Sequence, residues 1–282
     1  MTVNKKDFAV VIEVNKANPN GDPLNNNRPR STYEGLGEIS DVCIKRKVRN
    51  RLQDLGQSIF VQSEERSDDG FTSLRQRFDS LNIKLPKKAT LEDKRAVHTA
   101  VCDSWIDVRS FGQLFAFKGS EMSLGVKGAV SIGSAYSLDT VDIIDTQITK
   151  SVNSETTDGK ASDTMGRKYA VDFGVYVVYG SVSGNIAEKN NLTNEDVEAI
   201  KEALVSLFEN DFSSARPEGT MAVNKVFWWE HENKNGNASS SKVFKSLNIS
   251  KADGVITPKS IEDYVFETSD IDGVTLTVLE GY

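Results

Sequence analysis

The sequence predicts an α+β domain of ferredoxin-like topology that carries insertions. An opening segment has an apolar side chain at every second position, which is the period of a strand, and two later segments repeat apolar side chains with the period of a helix. The predicted elements follow the order strand, helix, strands, helix, strand, which is compatible with this topology. With 282 residues, 38% hydrophobic and 27% charged, the chain can bury a core. We expect one domain over residues 1–282.

The first predicted element is a strand over residues 8–14, where every second residue is apolar. A tight polar turn follows at residues 18–23, because the sequence NPNGDP combines two prolines, a glycine and short Asn and Asp side chains. Residues 25–30 continue as a loop. The chain therefore enters its first helix from a long polar connection.

A basic helix is predicted next. Ser40 or Asp41 can serve as its N-cap, and apolar residues at positions 44, 48, 52 and 55 form a stripe that can pack on the sheet. Its cations lie on two sides of that stripe, with Lys45, Arg46 and Arg49 on one side and Lys47 and Arg51 on the other. Such a run is either a solvated helix surface or a surface that binds phosphates, and spacing alone leaves both open.

Residues 56–106 are predicted to form an insertion that ends in a helix over residues 91–106. Strands are predicted around residues 111–117, 126–132 and 171–179. Residues 149–165 are rich in Ser, Thr and Asp, have few apolar side chains to bury, and are predicted to form a flexible protrusion. Thr193 is predicted to cap a further helix, and a strand over residues 226–230 follows it.

Charge is unevenly distributed along the chain. The net charge is −7, yet residues 1–51 hold ten Lys or Arg against six Asp or Glu, and residues 253–282 hold seven acids and one lysine. Phosphate binding relies on Lys and Arg. A contact with nucleic acid would therefore use a local basic strip near the amino terminus of an otherwise acidic protein.

Cofactor and metal motifs are missing from the sequence. Neither His98 nor His231 has supporting local sequence, since His231 lacks the second histidine of an HExxH motif. Cys43 and Cys102 lie outside any CxxC spacing, and there is no GxxxxGKS loop. We expect no cofactor, no metal site and no catalytic residue.

One enzymatic alternative is a metal-dependent nuclease. Asp139, Asp142 and Asp145 recur every three residues, a pattern that could hold two magnesium ions. The apolar residues between them instead favour a strand, in which such carboxylates point to different faces. A second alternative is a structural assembly protein whose basic helix docks an acidic partner.

The sequence offers no membrane segment, because no apolar stretch approaches the ~20 residues of a membrane-spanning helix. The apolar segment near the amino terminus contains Glu13 and runs into the polar turn instead of a cleavage site. We expect a cytoplasmic protein.

More features of the sequence fit nucleic-acid binding than fit catalysis. The basic helix can neutralise phosphates, and the Asn- and Gly-rich turn can bring backbone N–H groups to phosphate oxygens. Arg28 and Arg30 add charge on the loop that follows. Met165, Arg167 and Lys168 combine a flexible apolar side chain with two cations; Met165 could insert between bases, or it could belong to the core.

Several sequence blocks taken together resemble the Cas7 family, the Cascade backbone subunits of CRISPR defence, and most of all its type I-C branch. The blocks are residues 18–23 (NPNGDP), 28–30 (RPR), 39–50 (ISDVCIKRKVRN), 107–112 (DVRSFG), 126–130 (VKGAV), 164–168 (TMGRK) and 207–211 (LFEND). The resemblance runs from residue 8 to residue 230.

The resemblance implies a right-hand shape, with an RRM-like palm, a helical fingers insertion at residues 56–106 and a thumb. It implies a non-catalytic subunit that binds guide RNA (crRNA), polymerises with other copies of itself into a helical filament, and supports pairing of the guide with target DNA beside other Cascade subunits. The implied RNA-binding residues are Asn20, Arg28, Arg30, Ser40, Lys45, Arg46, Arg49, Met165, Arg167 and Lys168. The type I branch does not cleave RNA, so Asp22 is assigned a turn-forming role.

Overall fold

The structure is a computed structural model that describes residues 2–83, 90–116, 123–149 and 165–282. Its strands are β1 (Lys6–Ala17), β2 (Gly21–Asp22), β3 (Arg28–Pro29), β4 (Leu36–Ile39), β5 (Gly112–Ala116), β6 (Ser123–Lys127), β7 (Val130–Ile132), β8 (Ala135–Thr140), β9 (Ile143–Thr149), β10 (Met165–Val182), β11 (Met221–His231), β12 (Leu247–Lys251), β13 (Tyr264–Thr268) and β14 (Val274–Glu280). Its α-helices are α1 (Asp41–Asp54), α2 (Leu74–Asp79), α3 (Leu91–Ser104), α4 (Ile106–Phe111), α5 (Gly184–Lys189), α6 (Asn194–Val205) and α7 (Ser240–Phe244).

A central antiparallel sheet of eight strands carries this mixed α/β fold. The strand order is β14-β11-β1-β10-β8-β4, and β7 and β9 also pair with β10. The predicted first strand is confirmed and is longer than its apolar alternation, because β1 pairs with β10 along one edge and with β11 along the other. Pairing with both neighbours satisfies the backbone groups of β1 and extends it into polar sequence.

The two faces of the sheet bury different parts of the chain. Phe8 and Val10 point to one face, which we call the helical face, and pack there with α1 and α6. Ala9 and Val11 point to the other, the C-terminal face, and pack with residues of α7, β12 and β13. This division follows from the strand's period of two. The apolar stripes predicted on α1 and α6 are confirmed as core.

A third cluster of buried side chains lies around α3, α4 and β5. The Phe60 ring is 4.7 Å from that of Trp105 and 5.1 Å from that of Phe115. The helix predicted over residues 91–106 ends early, because Trp105 has an extended backbone (φ −135°, ψ 123°) and its side chain packs into this cluster. The boundaries predicted for the insertion stay a prediction.

A close backbone contact divides the strand predicted at residues 126–132. It is two strands, β6 and β7, separated by a segment that contains Gly128. A Cβ at Gly128 would lie 2.3 Å from the carbonyl carbon of Phe111. The lack of a side chain at Gly128 therefore allows its backbone to approach the backbone at Phe111. The predicted protrusion at residues 149–165 falls almost entirely outside the described residues.

The acidic C-terminal segment is ordered structure. β14 pairs with β11 at the edge of the sheet, and β13 pairs with β12 on the C-terminal face. In the described ranges, no helix has the length and apolar character required to cross a membrane.

Candidate nucleic-acid interface

The side chain of Asn20 joins the polar turn to the start of α1. The backbone N and the Oγ of Ser40 both donate to Asn20 Oδ1, at 3.0 Å and 2.8 Å, and Arg30 N donates to the Asn20 carbonyl at 3.0 Å. Ser40 Oγ also accepts from Cys43 N at 3.4 Å, which confirms Ser40 as the helix N-cap. Three predicted residues therefore meet at the positive end of α1, where phosphate oxygens are favoured.

Asp22 shapes the turn itself. Its Oδ1 accepts from Leu24 N at 3.2 Å and caps a short 3-10 helix over residues 23–25. The same carboxylate lies 3.6 Å from a guanidinium nitrogen of Arg30. The turn-forming role assigned to Asp22 is observed, and the loop that it shapes leads directly to Arg28 on β3.

Arg49 is committed to a buried ion pair. Its Nε donates to Asp107 Oδ2 at 2.9 Å, and the two side chains are 13% and 1% exposed. Asp107 also accepts from the backbone N of Phe60 at 2.7 Å and of Val61 at 3.1 Å, while the Arg49 guanidinium lies over the Phe111 ring. Arg49 thus anchors α1 to the neighbouring cluster, and its predicted phosphate contact stays a prediction.

Arg46 and Lys45 are held less tightly than Arg49. Arg46 donates to the Val61 carbonyl at 2.6 Å, and burial, together with the nearby charge of Arg49, lowers its pKa. Lys45 pairs with Asp41 one turn earlier at 2.8 Å, near the surface. Lys45 is therefore the cation on this side of α1 that a phosphate can recruit with the smallest loss to the fold.

The cations on the other side of α1 face the α6 side of the molecule. Lys47 pairs with Asp211 and is almost fully buried, and Arg51 donates to Ser206 Oγ at 2.8 Å. The division of basic residues between two sides of the helix is therefore as predicted. Both of these cations help to join α1 to the segment that follows α6.

A second group of predicted residues lines an open cleft of about 480 Å³ between the loop at residues 23–27 and the β9–β10 hairpin. Met165 is 67% exposed there, and Gln147 Nε2 donates to its sulfur at 2.8 Å. The alternative that Met165 is a core residue is therefore wrong. The cleft is lined by Asn26, Gln147, Met165, Gly166, Arg167 and Tyr169.

The contact between Arg28 and Tyr169 links the cleft to the turn. The guanidinium of Arg28 lies 5.4 Å from the centroid of the Tyr169 ring. Met165 and Arg167 lie on the same side of β10 as Tyr169, whereas Lys168 points to the opposite side. Lys168 is exposed and has no ion pair among the described residues. The structure thus brings Arg28, Met165 and Arg167 together and separates Lys168 from them.

Carboxylates neutralise four of the predicted cations. The pairs are Arg30–Asp22, Lys45–Asp41, Arg49–Asp107 and Arg167–Asp145. Exposed ion pairs contribute only ~0–1 kcal/mol to stability, so a phosphate can replace the carboxylate in the three pairs that lie near the surface. The buried pair of Arg49 cannot be exchanged at such low cost.

Two of the three aspartates of the nuclease alternative, Asp139 and Asp145, are occupied by other partners. Asp139 contacts Lys251 Nζ at 2.6 Å and accepts from the Tyr264 hydroxyl at 2.8 Å, and Asp145 pairs with Arg167 at 2.7 Å. Across the ranges that the structure describes, no group of three His, Cys, Asp or Glu side chains could hold a metal ion. The geometry therefore gives the nuclease alternative no specific support.

The sequence reasoning missed Asn26, Gln147 and Tyr169. Tyr169 directly follows the TMGRK block, which was the available signal. Asn26 adopts a left-handed backbone (φ 51°) in the loop after Asp22, as expected of Asn in a turn. Gln147 carried no local signal, because its place in the cleft depends on the pairing of β9 with β10.

Comparisons with known proteins agree on one family. The family described as CRISPR-associated protein Cas7 matches residues 4–269. The CRISPR-associated protein Cas7 of Haloferax volcanii is 30% identical over 217 residues, which are 71% of this chain and 62% of that relative. The alignment thus spans less than two thirds of the relative's length.

A chain of a solved complex described as a CRISPR RNA-guided surveillance complex, pre-nicking, has a similar fold. The match covers 86% of this chain and 82% of the other, with a TM-score of 0.51 and 15% identity. At this identity the likeness concerns the fold alone. The match to the family extends over nearly the whole sequence, and on that basis this chain belongs to the Cas7 family of CRISPR-associated proteins.

Proposed function

We propose that this chain is the guide-RNA-binding backbone subunit of a CRISPR surveillance complex of type I-C. The protein holds the guide without regard to its sequence, through phosphates, ribose hydroxyls and stacking, while base pairing with target DNA supplies specificity. Copies of the chain stack along the guide beside other Cascade subunits. The role is one of binding in antiviral defence, without catalysis.

The observation that carries this proposal is the convergence of distant sequence blocks on one surface. The turn residue Asn20 and the N-cap Ser40 are hydrogen-bonded to each other, and Arg28 reaches Tyr169 beside the exposed Met165. Donors, cations and an exposed flexible apolar side chain are the groups that a single nucleic-acid strand uses. A solvated helix surface alone would not require these blocks to meet.

The same proposal takes the sheet as the RRM-like palm of a right-hand fold. Its support is the strand order β11-β1-β10-β7, with α1 after β1 and α6 after β10, which is a β-α-β-β-α-β arrangement. The separate cluster around Phe60 supports a fingers insertion near residues 56–106.

RNA recovered with the purified protein tests the function. A double variant, Arg28→Ala with Arg167→Ala, removes the two cations that the structure brings together at the cleft and that make no buried ion pair. We expect it to lose most of the small RNA that copurifies with the wild-type protein, measured by the 260 to 280 nm absorbance ratio and by RNA extraction. Arg49 is left intact because its loss would disturb the fold.

The matched control is Lys242→Ala with Lys245→Ala, two exposed lysines at α7 on the C-terminal face. This variant is expected to retain its RNA. If wild-type protein from cells that express a guide carries no RNA, the assembly alternative is favoured instead. If the double variant carries as much RNA as the control, the interface is wrong.

A further inference from the structure

An exposed aromatic ring lies next to the candidate interface without belonging to the core. Phe212 is 68% exposed and is absent from the three hydrophobic clusters of the described residues. Phe208, one turn earlier, packs against the main cluster and lies beneath Lys47. A single exposed apolar side chain is common on proteins, so the surroundings of Phe212 decide what it can do.

The ring directly precedes an ordered turn at residues 213–216, which is hydrogen-bonded to the NPNGDP turn. Ser213 and Arg216 exchange two backbone hydrogen bonds, of 2.8 Å and 3.0 Å. Asn18 N, at the start of the NPNGDP turn, donates to the Ala215 carbonyl at 2.9 Å. The turn that follows Phe212 is therefore held against the start of the NPNGDP turn, and a ligand that contacts the ring does not have to order this backbone first.

Cations outnumber carboxylates in the contacts around Asp211. Lys47 and Arg216 share this one carboxylate, and the Nε of Arg216 lies 3.4 Å from its Oδ2. That Nε is buried and has no hydrogen-bond partner among the described residues. Arg216 lines the same small cavity as Phe212. It is therefore the cation that can meet a phosphate near the ring.

The space beneath the ring is too small for a ligand. The cavity there measures about 20 Å³ and is lined by Phe208, Asp211, Phe212, Arg216, Pro217, Glu218, Gly219 and Met221. A cavity of this size has room for about one water molecule, so no base can enter. The Glu218 carboxylate further disfavours a phosphate inside the cavity. A nucleobase can therefore use only the outer face of the ring.

We propose that Phe212 is a stacking platform for one nucleobase of the bound RNA strand. The inference rests on the proposed function and adds a contact that the sequence blocks did not indicate. Every base has a π face, so stacking on one ring is compatible with binding that ignores sequence. Arg216, whose Nε has no hydrogen-bond partner among the described residues, is the cation beside the ring for the phosphate of the stacked nucleotide.

The test compares two single strands of equal length, one of ordinary RNA and one of abasic ribose-phosphate. Phe212→Ala is expected to weaken binding of ordinary RNA about tenfold, as the loss of one base–aromatic contact does, and to leave binding of the abasic strand unchanged. Phe212→Leu is expected to behave like Phe212→Ala, and Phe212→Trp to bind ordinary RNA at least as well as wild type. Fluorescence anisotropy measures all four proteins at one salt concentration.

The matched control is Ile256→Ala, which removes another exposed apolar side chain and is expected to change neither affinity. Equal losses on both strands, or full affinity in Phe212→Ala, would overturn the stacking platform while leaving the proposed function in place. If the wild-type protein binds neither strand, the proposed function fails and the platform fails with it.

Discussion

At the scale of single residues, Arg49 shows that a cation predicted to bind RNA can also stabilise the fold. Its Asp107 partner is 1% exposed, and breaking a buried pair by removing one partner costs about 3–5 kcal/mol. We expect Arg49→Ala to lower the free energy of unfolding by that order, as measured by urea denaturation.

The control for this prediction is Lys45→Ala. Its pair with Asp41 lies near the surface, where the expected cost is ~0–1 kcal/mol. Equal unfolding free energies for the two variants would contradict the structural role of the Arg49–Asp107 pair.

Cys102 gives a second prediction at this scale. Burial raises the pKa of its thiol to about 12, and only the thiolate attacks alkylating reagents. We expect iodoacetamide at pH 8 to modify Cys102 far more slowly in the folded protein than in urea, as followed by mass spectrometry. Modification of folded Cys102 at the rate seen in urea would contradict its burial.

The sequence alone predicted the roles of some residues of the candidate site. Ser40 as a cap and Asp22 as a turn residue depend on neighbours within four positions, so local rules sufficed for both. The Asp107 partner of Arg49 and the Tyr169 partner of Arg28 are distant in sequence. These contacts depend on how the chain folds back, and no local pattern indicates them.

At the scale of elements, the predictions were best where apolar side chains repeat on one face. β1, α1 and α6 were placed this way because each buries its stripe against the sheet. The end of α3 before Trp105 was not predicted. The Trp105 ring packs into a buried cluster there, and the helical pattern of the sequence does not show this contact. β13 and β14 were missed because edge strands that are half exposed combine apolar residues with Thr and acids.

Glu13 provides a prediction at this scale, since it lies on the strand β1. Burial, with the nearby charge of Glu262 added, raises the pKa of the Glu13 carboxyl. The folded state therefore binds this proton more readily than the unfolded chain does. The stability associated with Glu13 is highest below the unfolded pKa of ~4.3 and falls as pH rises through the raised folded pKa.

We expect Glu13→Gln to gain stability relative to wild type between pH 4 and pH 7, because it lacks the charged form that burial penalises. Urea unfolding at both pH values measures the difference. Glu34→Gln, at an exposed position, is the control and should show no such trend. A difference between Glu13→Gln and wild type that is the same at both pH values would contradict the burial of this carboxyl.

At the scale of the whole molecule, the fold makes an acidic protein compatible with the RNA that we propose as its ligand. The net charge is −7, but the acidic C-terminal segment forms β13 on the C-terminal face and β14 at the sheet edge. The basic helix α1 packs on the helical face. Acidic and basic segments are therefore separated, which allows one surface to attract a polyanion while the rest repels it.

The salt dependence of RNA affinity tests this interface most directly. For single strands, the slope of log K against log salt is about −0.7 for each phosphate neutralised. Removing Arg28 and Arg167 together should make that slope shallower by about 1.4, with affinity reduced most at low salt. An unchanged slope in this double variant would contradict the account, because it would mean that the two cations do not meet the RNA backbone.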